Sequence, residues 1–183
     1  METEKLNILK LKYKDNFKTK SDNSSVLLLY SYILEKENVD SDWWNEDHGC
    51  NDVVGILERN FSDFDWEMLE KDLENWTLNQ IELFTLSIIN GSCGNGLFED
   101  LKVRGLQKRY TYEKRLQILI KISKDQTLII WDNIDFLKRF PYMPFESINK
   151  IAINIGYYNY LLEEWKDSHE MKVMKELIQN STK

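Results

Sequence analysis

Residues Phe61–Gly91, FSDFDWEMLEKDLENWTLNQIELFTLSIING, read as two helices end to end, each with its own start signal. At the first start Ser62 supplies a cap, Asp65 sits three residues later, and Phe61 and Trp66 flank them. At the second, Thr77 and Gln80 repeat the spacing, flanked by Trp76 and Ile81. Both match a capping box with a hydrophobic staple. A side-chain oxygen takes an orphan N–H of the first turn, and two apolar groups clamp the entering chain. Gly91 follows the last apolar residue, where a left-handed helix end favours glycine. Helices, and not strands, are therefore the unit from which this chain is built.

The same reading extends in both directions. Residues 5–17 place Leu6, Leu9, Tyr13 and Phe17 on one helical stripe, although an alternating strand through Leu9, Leu11 and Tyr13 fits the pattern too. After the polar KTKSDNSS, Ser24 or Ser25 opens the apolar helix VLLLYSYILEKEN. Asp40–Asn51, DSDWWNEDHGCN, reads as a loop, followed by the short helix DVVGILERN. Beyond Gly91 a glycine-rich connection runs to Gly105, and Thr111–Ser123 is helical with Tyr112, Leu116, Leu119 and Ile120 or Ile122 inward. Residues 127–131 suit a short strand or a helix. Helix is preferred because Ile130, Ile134 and Leu137 share a face. Trp131, Asp132, Asp135 and Phe136 repeat the cap-and-staple spacing. Pro144 suits a helix's first turn, and Ile148, Ile151, Ile155, Tyr158, Leu162 and Trp165 step by three and four in the most regular stripe of the chain. Asp167 and Glu170 begin a final helix with Met171, Met174, Leu177 and Ile178. The expected fold is all-α: one domain over residues 1–183, of about seven to nine helices in antiparallel hairpins, resembling an irregular HEAT array. Trp66, Trp76, Trp131 and Trp165 lie at staples or on stripes and are expected to be buried.

Composition narrows the function classes. The chain has 183 residues, 42% hydrophobic and 13% aromatic, with only seven Gly and two Pro. That composition excludes wholesale disorder and a many-stranded sandwich. No apolar run approaches the ~20 residues that span a bilayer. The opening METEKLNILK lacks the apolar core of a secretory signal, so a cytoplasmic location is expected. Cys50 and Cys93 have no CxxC spacing, as befits a reducing compartment. The net charge of −7 is uneven. Residues 35–74 hold 14 acids against three bases, a local −11, while the segments on either side are each +2. Such a block repels nucleic acid and anionic membrane; it is suited to steering a basic partner, and it reads equally as the solvated face of acidic helices.

Catalytic and cofactor motifs are missing. His48 and Cys50 sit close together, but a zinc site needs three or four ligands and His169 is far along the chain. GSCGNG at 91–96 lacks the Lys-Ser/Thr of a phosphate loop and follows a helix, not a strand. Lys102, Arg104, Lys108, Arg109, Lys114 and Arg115 form a basic cluster, read as an intramolecular match to the acidic block. No metal, no cofactor and no catalytic residue are expected. The candidate partner-binding residues are Asp40, Asp42, Trp43, Trp44, Glu46 and Asp47. Two adjacent indoles cannot both face inward from one element, tryptophan is enriched at binding hot spots, and these two are ringed by carboxylates.

A small acidic helical protein carrying Trp76-Thr77-Leu78-Asn79-Gln80-Ile81-Glu82-Leu83 in its second helix resembles bacterial immunity proteins, the antidotes to polymorphic and contact-dependent growth-inhibition toxins. The resemblance covers Phe61 to Gly91. It implies a protein without catalysis that binds one toxin domain and occludes its active site or substrate. Members diverge at the toxin-facing surface, so no binding residue transfers by position. The alternative is a helical scaffold or adaptor that binds another cellular protein or peptide in a groove between helices.

Overall fold

The computed structural model describes residues 2–45, 48–91, 101–140, 143–161 and 164–181, and of residues 2, 3, 5, 45 and 101–110 only the backbone. The protein is all-α: among the described residues there is no strand. Its helices are α1 (Glu2–Tyr13), α2 (Ser24–Lys36), α3 (Ser41–Asn45), α4 (Gly49–Asn60), α5 (Asp63–Asp72), α6 (Leu78–Asn90), α7 (Leu101–Ile122), α8 (Thr127–Asp132), α9 (Phe145–Asn154), α10 (Tyr157–Tyr160) and α11 (His169–Asn180). Residues 1–87 with 91–93 form one compact unit, and residues 88–90 with 94–183 form another. No helix among the described residues is long and apolar enough to cross a membrane.

In the first unit the two capping boxes form as their spacing dictates. Ser62 and Asp65 exchange side-chain and backbone hydrogen bonds at the start of α5, and Thr77 and Gln80 do so at α6. The Phe61 and Trp66 rings meet at 5.2 Å, which completes the first staple. Each box also reaches across the unit. Asp65 Oδ1 accepts from Asn23 Nδ2 at 2.6 Å, while Asn23 Oδ1 caps α2 by accepting from Val26 N–H. The fully buried Gln80 donates to Asn16 O at 2.8 Å, pinning the turn that follows α1. The α2 helix thus opens at Ser24, as expected, with Asn23 as its cap. Val26, Leu29, Ile33 and Leu34 of α2 pack with Val53, Val54 and Leu57 of α4 and with Trp66 and Leu69 of α5 as the core.

The junction between α5 and α6 holds a buried carboxylate. Asp72 is 4% exposed and accepts from Thr19 Oγ1, Lys20 N–H, Asn75 Nδ2 and Trp76 Nε1. Four donors satisfy the charge and lash residues 19–20 to the helix junction. Trp76 lies between Tyr30 and Phe84, at centroid distances of 5.1 and 5.6 Å.

Gly91 corrects one expectation. Its φ of −62° and ψ of 132° are extended, not left-handed. Glycine is required there for space: a Cβ would lie 2.5 Å from Cys50 O, 2.5 Å from Val54 Cγ2 and 2.6 Å from Ser87 O. The segment 92–100 lies outside the described residues.

In the second unit α7 begins at Leu101 and runs through Gly105, so the expected connection to that glycine is shorter than its sequence suggested. Tyr112, Leu116, Leu119 and Ile122 are buried with Ile130, Ile134, Leu137, Ile148 and Ile151. Arg115, placed by sequence in a surface basic cluster, is fully buried. Its Nε donates to Ile88 O at 2.8 Å, and its guanidinium lies 4.8 Å from the Tyr112 ring centroid and 4.9 Å from that of Phe140. The rest of that cluster up to Arg109 lies outside the described side chains.

Two further expectations fail here. The Ile148–Trp165 stripe is not one helix: α9 ends at Asn154 and Gly156 turns left-handed at φ 79°. Ile155 and Tyr157 stay buried beyond the turn, but the new direction carries Tyr158 outward and leaves Trp165 64% exposed. Trp131, also expected in the core, is only half-buried; its Nε1 donates to Ile155 O. Nor does Asp132 cap a helix. The next turn, Ile134–Arg139, is a 3-10 helix led by Asn133, and Asp135 instead hydrogen-bonds His169 Nε2 at 2.5 Å. The Asp135 carboxyl is held below the usual range by that bond first, and by Lys138 nearby.

Candidate partner-binding surface

The stretch expected as a loop, Asp40–Asn51, is helical at both ends. Asp40 makes the first bend: its carboxylate accepts from Asp42 N–H at 3.0 Å and Ser41 Oγ at 3.3 Å, and its carbonyl from Trp43 N–H at 3.1 Å. The aspartate satisfies donors that a helix start leaves orphaned, so α3 forms despite its length. Asp40 and Asp42 are exposed. Glu46 and Asp47 lie outside the described residues.

The two indoles divide as adjacent positions on one helix must. Trp44 is 2% exposed; its Nε1 donates to Lys36 O at 3.3 Å, and its carbonyl accepts from Cys50 Sγ at 2.9 Å. It anchors α3 to the end of α2. Trp43 is half-buried, perpendicular to Trp44 at 5.3 Å and tilted against Tyr32 at 6.1 Å. The ring still open to solvent is therefore that of Trp43.

Three residues that sequence reasoning did not single out complete the surface. Tyr32 donates from its phenol to Asp52 Oδ2 at 2.7 Å. Burial, then that bond to a carboxylate, push the Tyr32 phenol far above its ordinary range, so it remains a neutral donor. Lys36, one turn beyond Tyr32, holds its ammonium 5.0 Å from the Trp43 ring centroid. Gly49 lets the rings close: a Cβ there would lie 2.6 Å from Trp43 Cζ3 and 2.7 Å from Trp44 Cε3. The i, i+4 spacing of Tyr32 and Lys36 was visible in the sequence. Their meeting with Trp43 was not.

Much of the acidic block is at the surface: Glu35, Asp52, Asp63, Glu67, Glu70 and Glu74 are exposed with Asp40 and Asp42. Asp65 and Asp72 are not part of that surface, being committed to the α5 cap and the buried junction. No group of three or more metal-ligating side chains occurs among the described residues. No protein-family model matches the chain, and no curated protein or solved structure matches it significantly.

Proposed function

We propose that this chain is an immunity protein that binds a basic toxin domain and occludes its active site or its substrate. The observations that support it are the exposed carboxylates of the first unit, Asp40 and Asp42 among them, and the half-buried indole of Trp43 next to Asp42 in the chain. Carboxylates at this density steer a basic partner and set its register, while a fixed aromatic supplies the contact that loses water on binding. The resemblance of Phe61–Gly91 to immunity proteins points the same way. The test is to look for a toxin gene immediately upstream and to measure binding of its toxin domain by calorimetry and stopped flow. Nanomolar affinity is expected, with an association rate that falls steeply with salt. Charge reversal Asp42→Lys should slow association and leave dissociation nearly unchanged. Micromolar or weaker binding that is insensitive to salt would refute it.

A second reading is a helical adaptor for another cellular protein. It is favoured by exposed Ile153, Tyr158, Leu161 and Trp165 in the second unit. Under that reading Trp165→Ala weakens partner binding while Asp42→Lys does not.

A further inference from the structure

We infer that the open face of Trp43 is a seat for one arginine side chain of a basic protein partner, and that Lys36 occupies it in the free protein. The inference deepens the partner reading above and rests on it for the identity of the arginine's owner. The ring is fixed before any partner arrives. Trp44 abuts it perpendicularly, Tyr32 lies tilted against it at 6.1 Å, and α4 approaches so closely that only glycine fits at position 49. A cation is already on it: the Lys36 ammonium lies 5.0 Å from the ring centroid. Among the described residues Lys36 has no carboxylate within ion-pair distance, although Glu35 precedes it and Asp40 follows four residues on. The indole quadrupole draws a cation, and tryptophan draws it most strongly.

Lysine is a replaceable occupant. Its ammonium is a hydrated point charge on a four-carbon stem that swings away easily. A guanidinium fits better on three grounds. It stacks flat on the indole, sheds water more readily, and offers a fork of donors to nearby carboxylates such as Asp42. The acids at positions 35, 40, 42 and 52 give the surroundings the complementary sign. The occupant is thus an arginine on a basic segment, whose neighbouring residues are free to run along the exposed carboxylates.

The test uses the full chain and a capped hexapeptide of alternating glycine and arginine at low salt, followed by calorimetry and by the indole N–H resonances in NMR. A lysine counterpart and a glutamate counterpart serve as comparisons. The arginine peptide should bind saturably, shift the Trp43 indole signal, and bind more tightly than the lysine peptide. Lys36→Ala should tighten binding about two- to fivefold, the size of an exposed cation–π contact. Lys71→Ala removes the same charge from an exposed position elsewhere in the acidic stretch, and should change binding less than Lys36→Ala. Trp43→Phe keeps an aromatic ring and should weaken binding. Equal effects of Lys36→Ala and Lys71→Ala, equal affinity for the two basic peptides, or unaltered binding by Trp43→Phe would each overturn the inference. Because no toxin is present, peptide binding with no toxin affinity would sink the immunity reading alone. Toxin affinity with no peptide binding would sink this seat alone.

Discussion

Replacing Trp76 by phenylalanine separates two forces that the α5–α6 junction combines. The benzyl ring retains the aromatic contacts to Tyr30 at 5.1 Å and Phe84 at 5.6 Å. What it loses is the Nε1–H that reaches Asp72 Oδ2 at 2.8 Å, on a carboxylate only 4% exposed. A hydrogen bond to a charged group contributes about 1.5–3 kcal/mol, and a buried acceptor left short of a donor keeps the larger share of that loss. Thr19, Lys20 and Asn75 still donate to Asp72, so the cost should fall near 2 kcal/mol rather than at the upper limit. Trp76→Ala loses the packing as well and should cost at least about 3–5 kcal/mol. Urea unfolding measures both: at a slope of about 2 kcal/mol per molar, the phenylalanine variant's midpoint drops by about 1 M. Coupling of Trp76→Phe to Asp72→Asn in a double-mutant cycle should exceed ~0.5 kcal/mol. A phenylalanine variant within ~0.5 kcal/mol of wild type would show that the buried carboxylate does not depend on the indole, refuting the reasoning.

Other expectations follow from the same geometry. Gly91→Ala should destabilise by about 1–3 kcal/mol, because its φ of −62° suits alanine but the Cβ meets Cys50 O and Val54 Cγ2; a stabilised variant in thermal melts would mean the neighbours yield freely. Trp165→Ala should change stability by less than ~0.5 kcal/mol, against about 3–5 kcal/mol for the buried Trp66→Ala, as read by urea titration. Burial works to raise the Asp65 carboxyl, yet hydrogen bonds from Ser62 and Asn23 outweigh it and hold the group below its ordinary value. A depressed folded value means stability that is fully present above about pH 4 and is lost as pH falls through the folded value. Asp65→Asn should therefore cost stability at pH 7 and much less near pH 2 in parallel urea titrations; an equal cost at both would contradict the assignment.

Features carried by a few neighbouring residues were legible in the sequence. Ser62 with Asp65 and Thr77 with Gln80 form their boxes because cap and donor are three residues apart, within one turn. The helical preference for 127–131 was right for the same reason: Ile130, Ile134 and Leu137 all point into one core. What depended on distant partners was not legible. Asp72 looks like any helix-surface acid until residues 19 and 20, some fifty positions earlier, reach it. Arg115 looks basic and exposed until the Ile88 carbonyl, 27 residues away, takes its Nε–H. Periodicity misled where a glycine intervened. Ile148 to Trp165 keeps its steps of three and four on paper, but Gly156 turns the chain and Tyr158 and Trp165 lie exposed, while Leu162 is outside the described residues.

The proposed partner surface was legible only as composition. Adjacent tryptophans implied that one indole stays near the surface, and the structure identifies it as Trp43, with Trp44 buried. Glycine at position 49 falls within the stretch Asp40–Asn51 that the sequence reads as a loop. Its reason is the close approach of both rings, visible only once α3 and α4 are folded together.

The most direct measurement is growth of cells induced to express a candidate basic toxin domain, sought first in the gene immediately upstream, with and without this chain. The immunity reading predicts arrested growth without it and restored growth with it, and predicts that Asp42→Lys combined with Trp43→Phe protects less at equal protein level. Continued arrest in the presence of abundant, folded wild-type protein would contradict it.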